Sequence, residues 1–372
     1  MGPMSKVVLV TGASSGIGRA TALELLGAGH TVYGGARRAQ SLEAVGAAGG
    51  HVVELDVTDD GDLERAVGTV LGEQGRIDAL VNNAGFGLYG AAEDVPLDQA
   101  RYQLEVNLFG PARLIQLVLP HMRERRSGTI VNVSSMGGEI AFPLGAWYHA
   151  SKHALEAYSD ALRQEVKRFG IEVVLIQPGL IKTEFGGVTA RGVREISGQG
   201  AYKELAEALA RSTETIYGPS SRASDPSVVA SAIRRAVEAT SPRPRYPVGY
   251  MARPLLALNR FLPARLFDRV ASSQVSWPTR KSGSKGRRSG ESPRIQGAYP
   301  SHAFLDWTGP LGAAIFELRE EVTACRTTQR GRSPSTWWSW GAVRAATRPR
   351  SAPPSWGSRR PWLRRSGPVG SA

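Results

Sequence analysis

The chain has 372 residues, 41% of them hydrophobic, and a formal net charge of +13, enough for one large or two ordinary domains with a buried core. One cysteine, Cys325, excludes a disulfide framework, and six histidines without ligand spacing leave no metal site to expect. The charge does not call for a nucleic-acid partner once it is located: residues 276–372 hold 17 Lys/Arg against 5 Asp/Glu, whereas residues 1–275 hold 29 against 28.

The N-terminus runs almost directly into Lys6-Val7-Val8-Leu9-Val10 without a charged and then apolar leader, and no run of eighteen apolar residues occurs. A cytoplasmic protein with no transmembrane segment is expected. Lys6–Val10 reads as a short strand buried on both faces, being β-branched and continuous rather than alternating. A glycine-rich turn, Thr11-Gly12-Ala13-Ser14-Ser15-Gly16-Ile17-Gly18, leads into Arg19–Leu26 at helical spacing. Strand, turn and helix form a phosphate cradle: Gly12, Gly16 and Gly18 let backbone approach a pyrophosphate, and Ser14, Ser15 and Ile17 bring N–H groups to the positive end of the helix. The spacing is G-x-x-x-G-x-G, not the longer dinucleotide fingerprint G-x-G-x-x-G.

A second strand, His30–Gly35, ends at Ala36-Arg37-Arg38. An acidic residue at that position accepts from the ribose hydroxyls of NAD, whereas Arg37 suits the additional phosphate of NADP; NADP is therefore the expected cofactor, with NAD as the alternative. Val52–Val57 reads as a third strand, with Asp56 and Val57 at its end and Asp56 placed for an adenine amino group. A surface helix over 59–74 follows, and then a fourth strand from Asp78 that ends in Asn82-Asn83-Ala84-Gly85, a small polar turn along which a ribose fits. Alternation of strand and helix predicts a parallel, doubly wound α/β sheet with its ligand at the carboxyl ends of the strands.

Residues 97–126 read as a long helical stretch with an apolar face at Leu104, Leu108, Leu114, Ile115 and Val118, kinked or broken by Pro111. Asn107 is a polar residue within that face, either a satisfied core amide or an anchor for a water. The fifth strand, Gly128–Ser135, delivers Ser135 at its end. In a helix over 148–169, Tyr148 and Lys152 stand one turn apart on one face, so an ammonium sits beside a phenol and eases its deprotonation. Ser135, thirteen residues upstream, would hold the oxygen that gains or loses the proton. Ile171–Ile176 is the sixth strand and runs into Pro178-Gly179, with Ile181 and Thr183 in a sharp turn placed for a nicotinamide.

Taken together, the glycine turn, Asp56-Val57, Asn82–Gly85, Asn107, Ser135, Tyr148-x-x-x-Lys152 and Pro178-Gly179 resemble the short-chain dehydrogenase/reductase family over about residues 5–270. The resemblance implies a Rossmann-like sheet of about seven strands with helices on both faces. It also implies a catalytic tetrad of Asn107, Ser135, Tyr148 and Lys152: Tyr148 the general acid or base, Ser135 orienting the reacting oxygen, Lys152 lowering the tyrosine pKa and binding the nicotinamide ribose, and Asn107 anchoring a water. Ser134 competes for the serine role; it points to the other face of the strand and lacks the family's thirteen-residue spacing. Within the family, Gly85-Phe86-Gly87-Leu88-Tyr89-Gly90 and Val106–Gly110 look most like the retinol and 17β-hydroxysteroid dehydrogenases, which implies a bulky, lipid-like alcohol or ketone. A homodimer or homotetramer, paired through the helices carrying Asn107 and Tyr148, is likewise implied. The rival reading is a catalytically silent NAD(P)-sensing protein.

The segment Glu184–Ser224 lies where the family has its substrate lid, with a helix expected over 202–215. Asp225-Pro226 marks a helix start, Arg245–Gly249 an edge strand, and 251–270 one amphipathic helix that packs on the body or meets a membrane or partner. The domain is expected to span 1–272. Residues 273–372 form a low-complexity basic tail with seven of the eight tryptophans, read as disordered. Nucleic-acid binding, a partner-binding appendage and translated sequence of no selected function are its three readings, and the last is favoured.

Overall fold

The computed structural model describes residues 5–218 and 221–273. The reading of the tail falls outside the described residues. Within them the chain alternates as expected: β1 (Val7–Thr11), α1 (Gly16–Gly27), β2 (Thr31–Ala36), α2 (Glu43–Ala47), β3 (His51–Glu54), α3 (Asp60–Gln74), β4 (Ala79–Asn82), α4 (Leu97–Leu104), α5 (Gly110–Glu124), β5 (Gly128–Val133), α6 (Ala146–Val166) and β6 (Ile171–Pro178). It closes with α7 (Phe185–Ser197), α8 (Lys203–Tyr217), α9 (Pro226–Glu238), β7 (Arg245–Val248), α10 (Ala252–Phe261) and α11 (Ala264–Ser273).

The strands form one parallel sheet in the order β3-β2-β1-β4-β5-β6-β7. This is the Rossmann-like, doubly wound arrangement. Strand order reverses between β1 and β4, so the connections leaving those strands diverge to opposite faces and open a crevice at their carboxyl ends. Period-two alternation divides the apolar strand residues between two cores. Val8, Val10, Val131, Val174 and Ile176 pack with Leu25 of α1 and Val229 and Ile233 of α9. Leu9, Leu80, Ile130 and Val173 pack with Val70 of α3, Leu114 and Val118 of α5, and Leu162 of α6. A side chain of this size fully removed from water contributes about 1.5–3 kcal/mol, so the central strands dominate the stability.

Three local readings change and a fourth is refined. The third strand ends at Glu54, leaving Asp56 and Val57 in the turn beyond it. The 97–126 stretch is interrupted beside Pro111, where Glu105–Phe109 makes a single π-type turn in which the Gly110 N–H reaches back to the Glu105 carbonyl. Pro111 lacks the N–H that an α-helix would give the Asn107 carbonyl, which favours the wider turn. The extra residue also rotates the face, so Gln103 is buried before the turn, Val106 and Asn107 within it, and Leu114, Ile115 and Val118 after it, with Leu104 and Leu108 only half-buried. In the segment Glu184–Ser224, α7 precedes the expected helix; Gly186, Gly187 and Gly192 conceal it from propensity. Finally, Pro263 divides 251–270 into α10 and α11, which pack through Leu255, Phe267 and Ala271 against Ile140.

Other boundaries hold. Asp225 caps α9, its carboxylate accepting the Ser227 N–H at 2.9 Å, with Pro226 at the first helical position. Pro247 is tolerated in β7 because that strand is the edge of the sheet.

Candidate active site

The site grows from the carboxyl ends of β1, β4, β5 and β6. Gly12 and Gly16 have φ of 66° and 50°, a left-handed backbone that side chains resist. At Gly18 a Cβ would lie 2.1 Å from the Gly12 carbonyl oxygen and 2.4 Å from Asn83 Nδ2. The first turn of α1 is therefore pressed onto the turn before it. The β4 end braces the same turn: the Thr11 hydroxyl accepts the N–H groups of Asn83 and Ala84, both at 3.0 Å, and Asn83 Nδ2 donates to the Thr11 and Gly12 carbonyls at 3.0 and 3.2 Å. Asn83 and Ala84 thus shape the turn from behind. No side chain caps α1 and no acidic residue stands in its first turn, which leaves its positive end, beside half-buried Ser14 and Ser15, suited to an anion.

Ala36 ends β2 buried, and Arg37 beyond it is exposed and forms no ion pair with a described residue. The Asp56 carboxylate accepts the N–H and hydroxyl of Thr58 at 2.9 and 2.8 Å, which fixes its orientation, while Val57 is buried against Gly110. At the β6 end, the segment after Pro178 is laced to the C-terminal part of the fold. Gly179 N–H donates to the Val248 carbonyl at 2.8 Å and Leu180 N–H to that of Tyr250 at 2.9 Å. Ile181 is buried beneath Gly249, and the Thr183 methyl faces Gly16, where a Cβ would be 3.2 Å from it. Two loops far apart in sequence therefore meet over the glycine turn.

Tyr148 and Lys152 are both buried on α6. Burial raises the Tyr148 phenol above its ordinary pKa, and hydrogen bonding with the Ser135 hydroxyl pulls it back. Ser135 is half-buried and also accepts the Gly137 N–H at 3.0 Å, whereas Ser134 turns inward toward Glu156. The expected lowering of the phenol by the neighbouring ammonium is not what this arrangement produces. Lys152 Nζ instead donates to the Val133 carbonyl at 3.0 Å, and burial lowers its pKa to about 8 against the opposing charge of Glu156. Gly85 is exposed beside it; a Cβ there would meet Asn107 Oδ1 at 3.0 Å and Lys152 Nζ at 3.6 Å.

Asn107 uses its whole side-chain amide on neighbouring protein groups. Oδ1 accepts the Phe86 N–H at 3.1 Å, and Nδ2 donates to the Phe86 carbonyl and the Ser151 hydroxyl, both at 3.0 Å. Of the two readings left open by the sequence, the satisfied core amide describes the side chain; only its main chain remains to hold a water.

An aromatic lining went unread in the sequence. Tyr89 and Phe185 lie 5.4 and 5.7 Å from the Tyr148 ring, centroid to centroid, and 6.3 Å from each other. Three glycines make the room: a Cβ at Gly87 would strike Phe185, one at Gly145 would strike His149 and Tyr89, and one at Gly186 would strike Tyr217. Those glycines were the available signal. His149 is held neutral, its pKa lowered to about 4 by burial, with Nδ1 bonded to the Gly137 carbonyl at 3.0 Å. Among the described residues no cluster of three or more His, Cys, Asp or Glu is arranged for a metal ion, and no helix is long and apolar enough to cross a membrane.

Residues 6–192 match the family model described as short chain dehydrogenase. A 3-ketodihydrosphingosine reductase of Bacteroides thetaiotaomicron is 37% identical over 264 residues, which cover 71% of this chain and 95% of that protein. Among solved structures, a short-chain dehydrogenase from Streptomyces avermitilis is 36% identical with a TM-score of 0.60, over 73% of this chain and 95% of its own. A metagenomic short-chain oxidoreductase in complex with NADP is 28% identical with a TM-score of 0.52, over 66% and 97%.

Proposed function

Since the chain belongs to the short-chain dehydrogenase family, we propose that its domain, residues 1–272, interconverts an alcohol and a carbonyl with NADP, taking a bulky, apolar substrate. The observation that carries this reading is the hydrogen bond between Tyr148 and Ser135, with Lys152 buried one turn along α6, in a fold whose glycine turn presents the uncapped end of α1. When bound, the dinucleotide supplies or accepts the hydride. The residues that would hold it are Gly12, Ser14, Ser15, Gly16, Ile17 and Gly18 at the phosphates, Arg37 at the ribose phosphate, and Asp56 with Val57 at the adenine. Asn83, Ala84, Gly85, Tyr148 and Lys152 would meet the inner ribose, and Pro178, Gly179, Ile181 and Thr183 the nicotinamide.

In the direction of reduction Tyr148 gives its phenolic proton to the carbonyl oxygen, and in oxidation it takes one from the alcohol. Ser135 orients that oxygen. Lys152 holds the inner ribose and keeps a positive charge one helical turn from the proton donor, and the Asn107 main chain anchors a water in the proton relay. Tyr89 and Phe185 exclude bulk water and offer apolar surface, which suits a retinoid, steroid or long-chain lipid ketone. The named relative makes a sphingoid 3-ketone the first substrate to try. The exposed Tyr102 and Phe109, 43% and 53%, near the turn that carries Asn107, are the surface through which the cytoplasmic protein would pair as a homodimer or homotetramer.

The test is consumption of NADPH or NADH, followed by absorbance, against sphingoid, retinoid, steroid and short aliphatic ketones. Turnover with the bulky ketones and NADPH supports the proposal. NADPH binding without turnover of any carbonyl would favour the silent sensor. In the same assay Arg37→Ala should raise KM for NADPH roughly tenfold or more, the worth of one charge-assisted hydrogen bond, and leave KM for NADH alone. An equal rise for both cofactors would count against NADP preference. Phe185→Ala should raise KM about tenfold for the bulky ketones and little for the short ones, since what is lost is apolar contact rather than proton transfer. Equal effects on both would place Phe185 outside the substrate pocket.

A further inference from the structure

Glu156 stands one helical turn beyond Lys152 on α6 and is as deeply buried, 5% exposed against 6%. A carboxylate so placed requires partners. Its Oε1 accepts from Gln177 Nε2 at 3.1 Å at the end of β6, and its Oε2 from Arg245 Nε at 3.1 Å on β7. Ser134 faces it from the end of β5. Arg245 also meets Asp160 at 2.6 Å and Glu139 at 3.5 Å, Arg163 meets Asp160 at 2.6 Å, and Gln177 bonds Glu139 at 2.5 Å. The three carboxylates Glu139, Glu156 and Asp160 thus share the two guanidiniums of Arg245 and Arg163. One negative charge is left over. The buried member of the cluster has a cation on its own helix face, and that cation is Lys152.

We propose that Glu156 is the counter-ion that keeps Lys152 an ammonium inside the fold, and that Arg245 and Gln177 are positioning residues that hold its carboxylate against α6. Nζ is in direct contact with no carboxylate among the described residues, so the attraction acts through space across one turn. Burial drives Lys152 toward the neutral amine, and the charge of Glu156 opposes it. Glu156 is itself raised by burial and by Glu139, and is drawn down by Ser134, Arg245 and Gln177. The sign follows: with Glu156 neutralised, Lys152 releases its proton at lower pH. An arginine on the edge strand is thereby linked to the charge beside the proton donor. The consequence for turnover rests on the proposed function, but the electrostatic claim does not.

The experiment uses the full chain with its seven lysines labelled at 13Cε, the Lys152 signal being the one absent from Lys152→Met. In Glu156→Gln the Lys152 midpoint should fall by about one pH unit, and Glu156→Asp should return it toward the wild-type value. Linkage is reciprocal, so in protein labelled at the glutamate carboxyl carbons Lys152→Met should raise the Glu156 midpoint by a similar amount. This second variant serves where Glu156→Gln is too unstable to titrate. An unchanged Lys152 midpoint in Glu156→Gln, or an unchanged Glu156 midpoint in Lys152→Met, overturns the proposal. Neither titration needs turnover: linked midpoints in a protein that reduces no carbonyl would leave the counter-ion standing and remove the proposed function.

Discussion

Tyr148→Phe is expected to lower turnover by roughly a hundredfold to ten-thousandfold, the range for loss of a general acid–base group, with NADPH binding weakened far less because the glycine turn and Lys152 still hold the cofactor. The substitution removes one oxygen from a buried ring and leaves its contacts with Tyr89 and Phe185 at 5.4 and 5.7 Å in place. The fold and the glycine turn should therefore be untouched, and the loss should fall on kcat rather than KM. The pH dependence carries a sign as well. Burial holds the phenol above its ordinary range, so it is a protonated donor throughout neutral pH. Reduction of a ketone should accordingly be flat through neutrality, whereas oxidation of the alcohol, which needs the phenolate, should rise with pH. Steady-state rates in both directions and a fluorescence titration of NADPH measure all of this. A Tyr148→Phe variant that keeps most of the wild-type kcat would remove Tyr148 from the chemistry.

Gly18→Ala should weaken NADPH binding by about a hundredfold or more and lower Tm. The added methyl would sit 2.1 Å from the Gly12 carbonyl oxygen and 2.4 Å from Asn83 Nδ2, so backbone has to move, and overpacking of this kind costs about 1–3 kcal/mol. What moves is the turn assigned to the pyrophosphate, which is why the binding loss should exceed the stability loss. Gly27→Ala is the matched control. It lies at the other end of α1 with nothing within 4 Å of an added Cβ, and should leave binding unchanged and Tm equal or slightly higher. Titration with NADPH and calorimetry of the two variants decide the matter: wild-type affinity in Gly18→Ala would mean that the cradle holds no phosphate.

The segment after β6 shows why one part of the fold resists a linear reading. Gly186, Gly187 and Gly192 lie within α7, with Gly198 and Gly200 just after it, and propensity alone places a helix only over 202–215. Yet α7 forms because Ala190 and Val193 bury themselves against Leu205, Ala206 and Ala210 of the neighbouring helix. Its glycines then become an asset, since Gly186 admits the Tyr217 ring. The break at Asn107 is the opposite case. Pro111 announced it four residues away, because a missing N–H acts within a single turn.

The amino-acid sequence by itself determined the alternation of strands and helices, the glycine turn and the order of the motifs. Those depend on periodicity, on backbone sterics at single residues and on spacing along one helix, all of which act within a few residues. Only the tertiary structure decided that Asn107 spends its amide on Phe86 and Ser151, that Tyr148 is raised rather than lowered in pKa, and that Tyr89 and Phe185 line the site. It also brought Arg245 to a glutamate 89 residues earlier in the chain. The physical reason is burial: the cost of desolvating a charge or a phenol is set by what the rest of the chain packs around it, and no local pattern carries that information.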